Sequence, residues 1–143
     1  MEEKMVLYHF EELIKTLITL SFSAEKQKFI IGIGNVADEL VIDFDTHFNE
    51  KLAILYIEIG MLSTNDIMKL NEYNKVLNEK CFSQEADFFT DFEELIINPV
   101  WEEIRYESSR LLKSLNKDNL DIEVTREVTN NVEWTKTKLI QIN

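Results

Sequence analysis

The chain has 143 residues, 45% hydrophobic content, one cysteine and a formal net charge of −12. This length suits one domain, 1–143, with a continuous core, and three glycines and one proline are too few for the turns of an all-β fold. The acidity argues against nucleic acid or an anionic membrane as a partner. We therefore expect a mainly α fold, a single helical domain of about five helices with a C-terminal antiparallel β-hairpin.

The chain has the composition of a cytoplasmic protein. The lone cysteine, Cys81, excludes an internal disulfide and suits a reducing compartment. The N-terminus is acidic and amphipathic rather than a basic, apolar leader. The longest apolar run, Leu52 to Ile57, is far shorter than the roughly 20 residues that a membrane-spanning helix needs.

Apolar residues with helical spacing begin the chain. Val6, Phe10, Leu13 and Leu17 predict a helix over residues 3–20. Ser23 then has the character of an N-cap for a second, short helix.

The next apolar stripe predicts a helix over residues 36–59, although its last part, rich in isoleucine, also suits a buried strand. Gly60 is typical of a left-handed helix C-terminus. Ser63 and Asp66 have the spacing of a capping box for a helix over 64–80, so we expect an αα-hairpin.

Two more helices are predicted after a looser stretch from Cys81 to Phe89. Thr90 and Glu93 have capping-box spacing for a short helix over 91–97, and Asn98-Pro99 predicts the start of another over 99–115. The side chains expected in the core from these helical stripes are Phe10, Leu13, Leu17, Phe44, Leu70, Leu77, Trp101, Ile104 and Leu111.

The hydrophobic period changes to two at Leu120, which predicts a β-hairpin over residues 120–142. Asn130-Asn131 suits its turn, because asparagine tolerates the positive φ of tight hairpins. An isolated hairpin is marginal in water, so this one must pack on the helices, gain a strand, or present an edge to a partner. A homodimer through the hairpin is one such arrangement.

The net charge is concentrated in two segments. Residues 38–66 contain seven acids and one base, and residues 85–103 contain seven acids and no base. The negative electrostatic potential of these segments attracts a basic protein, although acids on helix surfaces often serve solubility alone. The residues predicted to bind such a partner are Asp38, Glu39, Asp43, Asp45, Asp87, Asp91, Glu93 and Glu94.

The chain offers little that resembles a catalytic or cofactor site. Glu39, Asp43 and His47 are four residues apart and share a helix face, but no second set of ligands accompanies them, so we expect no metal. Gly32 and Gly34 mimic a dinucleotide fingerprint, yet no further βαβ unit follows, so we interpret them as a loop between helices and expect no cofactor.

In size, charge and lack of catalytic motifs, the chain resembles the small acidic immunity proteins that bacteria encode beside polymorphic and contact-dependent toxins. The resemblance implies a non-enzymatic protein that neutralises a cognate toxin by binding a basic surface on it. Two alternatives remain open at this stage. One is a small enzyme with Glu39, Asp43 and His47 as its site, and the other is a structural or adaptor subunit that pairs through its hairpin.

Overall fold

The computed structural model describes residues 1–142, which form eight helices followed by two strands. The class, mainly helical with a C-terminal hairpin, is the predicted one. The helices are α1 (Glu3–Ser21), α2 (Ala24–Ile31), α3 (Val36–His47), α4 (Glu50–Glu58), α5 (Thr64–Phe82), α6 (Asp87–Thr90), α7 (Phe92–Ile97) and α8 (Pro99–Ser114).

One buried cluster joins the elements, with α1 at its centre. This helix packs against α2, α3, α4, α8 and the first strand of the hairpin. All nine side chains predicted to be in the core are buried. The hydrophobic stripes in the sequence therefore identified the inward faces of the longer helices correctly.

The hairpin consists of β1 (Leu120–Thr129) and β2 (Val132–Gln141), paired antiparallel. Asn130 and Asn131 form its turn with φ values of 53° and 64°, as their sequence predicted. Ile122 is buried against the helices, whereas the strands are exposed toward the turn. The hairpin is thus anchored at its base and, midway along β1, by Arg126, which donates to the Phe29 carbonyl of α2.

The prediction of one helix over 36–59 was wrong, because the chain breaks at Phe48 and Asn49. Phe48 is extended and buried, and the Asn49 side chain accepts a hydrogen bond of 3.0 Å from the Leu52 N–H, which begins α4. The Tyr56 hydroxyl donates to the carbonyl of His47 at the end of α3. Both helix ends at the break are therefore satisfied by side chains.

The stretch before α7 also differs from the prediction. Residues 87–90 form the short helix α6, which ends at Thr90, and Asp91 rather than Thr90 caps α7 by accepting from the Glu93 N–H at 3.0 Å. Phe88 of α6 is buried and stacks on Trp101 at 4.5 Å between ring centroids. Long-range packing on Trp101 stabilises a helix that is too short to be read from periodicity.

Most of the predicted helix ends are correct. Ser23 caps α2, Ser63 and Asp66 form a capping box on α5, and Asn98 caps α8. Gly60 has a φ of 78°, and the N–H of Met61 reaches the Tyr56 carbonyl at 3.0 Å, as in a Schellman motif.

The segment before Gly32 is helix α2 and not a strand, which removes the resemblance to a dinucleotide-binding fingerprint. No helix within residues 1–142 combines the length and the apolar character that crossing a bilayer requires.

Candidate functional site

The two acidic segments meet in the structure, because α3 packs against both α6 and α7. A cavity of about 130 Å³ lies at this junction, between the start of α3 and the α6–α7 corner. Val36 and Ala37 line it from one side, and Phe89, Asp91 and Phe92 from the other. Acids that lie about 50 residues apart in sequence are thus brought to adjacent helices. We call the carboxylates of α3, α6 and α7 the acidic surface.

Five of the eight predicted binding residues are exposed, and three are half-buried. The exposed ones are Glu39, Asp45, Asp87, Asp91 and Glu93. The half-buried ones are Asp38, Asp43 and Glu94.

The acids of α3 do not all face α6 and α7. Asp43 lines a cavity with Glu12 of α1 and Ile122 of β1. Burial, and secondly the nearby charges of Glu39 and Glu12, raise the pKa of the Asp43 carboxyl above its usual value. Asp45 borders a groove against α5. These two residues are therefore peripheral to the junction.

Two carboxylates of α7 have structural roles. Asp91 caps the helix, and Glu94 accepts a hydrogen bond of 2.9 Å from the Asn98 side chain. Glu39, Asp87 and Glu93 remain as exposed acids of the surface with no such bond among the described residues. They are the carboxylates best placed to meet a partner.

Gly34, which lines the cavity, lies close to the Glu39 carboxylate. Gly34 has a φ of 125°, and a Cβ built on it would lie 2.6 Å from Glu39 Oε1. The carboxylate therefore lies beside the α2–α3 loop, and a larger residue at position 34 would require the Glu39 side chain to move.

The acidic surface has no internal charge compensation. Five ion pairs occur within residues 1–142, and none of them involves any of the eight acids. Lys28 is the nearby base, and its ammonium group lies 4.7 Å from the ring centre of Phe92. Exposed apolar side chains, Ile42 on α3 and Ile96 on α7, lie on the same helices as the acids.

Glu39, Asp43 and His47 do share α3, but the structure gives His47 a different neighbour. His47 is buried, and its Nδ1 lies 3.0 Å from Nδ1 of His9 on α1. Within residues 1–142, no three His, Cys, Asp or Glu side chains come together in a way that would hold a metal ion. The sequence gave no signal that the two histidines meet, since they lie on different helices.

Cys81 and Trp101 have core environments. Cys81 is half-buried, and burial raises the pKa of its thiol to about 11, so it is almost entirely protonated at neutral pH. Trp101 is fully buried and donates from Nε1 to the Phe88 carbonyl at 3.0 Å. Cys81 is therefore a protonated thiol that packs against the core, and Trp101 is part of the core.

Comparisons with protein-family models, with curated proteins and with solved structures gave no match.

Proposed function

We propose that the protein is a non-enzymatic binding protein whose acidic surface recognises a basic protein, most concretely the toxin that a bacterial immunity protein neutralises. The observation that supports this proposal most directly is that the acidic surface gathers carboxylates from two distant segments on adjacent helices, and none of its eight acids forms an ion pair within residues 1–142. Like charges gathered on packed helices disfavour the isolated fold, and a basic partner would relieve that repulsion.

The shape of the junction is compatible with a side chain from such a partner. The cavity is apolar on both sides, through Val36 and Phe89, and Asp91 stands at its border. An arginine or lysine inserted there would place its aliphatic stem on apolar surface and its charge near Asp91, the one carboxylate of a lining that also includes Lys28. The cytoplasmic location expected from the single cysteine belongs to the same proposal.

The test begins with capture of the partner by the tagged protein from the native host, at low and at high salt. The association rate of the captured protein is then measured with a triple variant, Glu39→Lys, Asp87→Lys and Glu93→Lys. We expect association to slow by about tenfold or more at low salt and much less at high salt, since exposed charges are screened beyond about 8 Å.

A second triple variant provides a control with the same change in net charge. Glu3→Lys, Glu72→Lys and Glu79→Lys alter exposed acids of α1 and α5 that form no ion pair within the described part of the chain. A specific surface predicts a much smaller effect for this control. An acidic partner, or equal effects of the two triple variants, would contradict the proposal.

A further inference from the structure

The hairpin has a free edge toward its turn. Alternate residues of an antiparallel strand direct their backbone N–H and C=O groups away from the paired strand. Thr129 and Val132 flank the two-residue turn and form the closing, hydrogen-bonded pair of the ladder. Glu133, Thr135 and Thr137 of β2 therefore direct their backbone N–H and C=O groups away from β1.

Two hydrogen bonds at the base of the hairpin agree with this alternation. The N–H of Ile142 donates to the Asn119 carbonyl at 2.8 Å, and this pair is a bonded one, as the alternation counted from Thr129 and Val132 predicts. Lys15 of α1 donates to the carbonyl of Thr137 at 3.0 Å, which therefore points away from β1. Within residues 1–142, no other backbone group bonds to the outward groups of Glu133 and Thr135.

The same end of β2 exposes apolar side chains on the outer face of the hairpin. Trp134 is 57% exposed and Val132 is 49% exposed. Unpaired strand edges with large apolar neighbours favour pairing with another strand.

The charge of β2 indicates which strand can pair with it. The protein has a net charge of −12, yet β2 contains two lysines and one glutamate. Two copies of an acidic protein repel each other except where the local charge is not negative, and β2 meets that condition. A second copy of β2 also closes the pairing by two-fold symmetry, whereas β1 of another copy would leave an open-ended chain.

We infer that two copies of the protein pair through the outer edges of their β2 strands, antiparallel and centred on Trp134. In this register Glu133 of each copy lies opposite Thr135 of the other. These two symmetric pairs bond only through the outward, free backbone groups of β2. Registers shifted toward the base require the Thr137 carbonyl, which Lys15 occupies. Each Lys136 then lies opposite a Val132 rather than another lysine, and the two tryptophans become direct neighbours.

This arrangement gives a four-stranded sheet with the two helical bodies at opposite ends. The contact covers about seven residues of each strand, well below the roughly 800 Å² per partner of a standard interface. We therefore expect a weak dimer that forms reversibly.

Sedimentation velocity of the complete protein, from about 10 μM to 1 mM, tests the pairing. We expect a reversible shift from monomer to dimer that strengthens with salt, because salt screens the repulsion between two acidic copies. Salt has the opposite effect on association with a basic partner, so failure of the dimer and failure of the proposed function are distinguishable. A monomer at every concentration would overturn the inference.

Thr135→Pro removes an outward N–H without removing a bond of the hairpin itself, and should weaken the dimer at least tenfold. Val128→Pro is the matched control, because Val128 lies opposite Glu133 and directs its N–H outward from β1. The control should dimerise like the unmodified protein. Equal behaviour of the two proline variants would contradict the assignment to β2.

A cross-link tests the register without proline. In a Cys81→Ser background, Trp134→Cys should give a disulfide-linked dimer on mild oxidation, because the two positions face each other directly. Val128→Cys, exposed at the same end of the hairpin, should remain largely monomeric. Equal cross-linking at both positions would exclude a dimer centred on Trp134.

Discussion

The Nδ1 atoms of His9 and His47 lie 3.0 Å apart and join α1 to the last turn of α3. Such a contact is a hydrogen bond only when one ring donates an N–H and the other offers a lone pair, so it cannot persist when both rings are protonated. Tyr8 packs edge-on against both rings, and the Glu12 carboxylate is close enough to influence His47. The pair therefore couples the packing of two central helices to pH.

The contact between His9 and His47 predicts a loss of stability on mild acidification. Burial, and secondly His9, lower the pKa of His47, while Glu12 partly opposes them. The unfolded chain takes up a proton near its ordinary pKa of about 6.5, before the folded protein does, so the free energy of unfolding should fall as the pH falls below that value. Urea denaturation between about pH 7 and pH 5 measures this dependence.

His47→Gln supplies the comparison for this prediction, because glutamine retains a hydrogen-bonding side chain but does not titrate. Its stability should depend less on pH over the same interval. Equal slopes for the variant and the unmodified protein would show that the histidine pair has no part in the acid response.

Asp43 predicts the opposite dependence of stability on pH. Replacing it with an uncharged residue should stabilise the protein at neutral pH. Its raised pKa means that the ionised carboxyl is disfavoured in the folded state, first by burial and then by Glu39 and Glu12. Stability is therefore lost as the pH rises from about 3.8 through the folded pKa. Asp43→Asn should raise the thermal midpoint at pH 7, with a smaller effect near pH 3.

Asp45 provides the control, since it lies on the same helix but is exposed. Asp45→Asn should leave the midpoint nearly unchanged. A similar increase for both variants would attribute the gain to net charge rather than to the surroundings of Asp43.

The fold was predictable where the determining signals are local. Ser63 with Asp66, Asn98 with Pro99, and Asn130 with Asn131 each fix a helix end or a turn within four residues. The break between α3 and α4 was missed because Phe48 continues the helical spacing, although its backbone is extended and the His47 carbonyl before it accepts from the Tyr56 hydroxyl, a contact between residues nine positions apart.

The candidate site was less predictable than the fold. The sequence identified two acidic segments, but their meeting depends on how α3 packs against α6 and α7, which no local pattern encodes. Nor does periodicity show that Asp91 is a helix cap or that Asp43 faces Glu12. These roles separate acids that are available to a partner from those that are already engaged.

The cap at the break between α3 and α4 predicts a measurable contribution from Asn49. Its side chain accepts from the Leu52 N–H at 3.0 Å, so Asn49→Ala should lower the free energy of unfolding by about 1 kcal/mol. Asn35 is the matched control, since it occupies the N-cap position of α3 without a side-chain cap bond. A loss as large in Asn35→Ala as in Asn49→Ala would contradict the assignment of α4's start to this cap.

The two tryptophans predict very unequal losses of stability on truncation, and the difference tests the packing of α6 on α8. Trp101 is fully buried, stacks on Phe88 and donates to its carbonyl, whereas Trp134 is 57% exposed. Trp101→Ala should cost about 3–5 kcal/mol of folding free energy, through a cavity and an orphaned carbonyl. Trp134→Ala should change it by no more than about 0.5 kcal/mol.

Chemical denaturation at low micromolar concentration keeps any self-association out of this comparison. Should Trp101→Ala be too unstable to purify, Trp101→Phe retains most of the ring but cannot donate to Phe88, and should still lose about 1–3 kcal/mol. Full stability of Trp101→Phe would mean that the hydrogen bond does not hold α6 in place. The short helix would then depend on ring stacking alone.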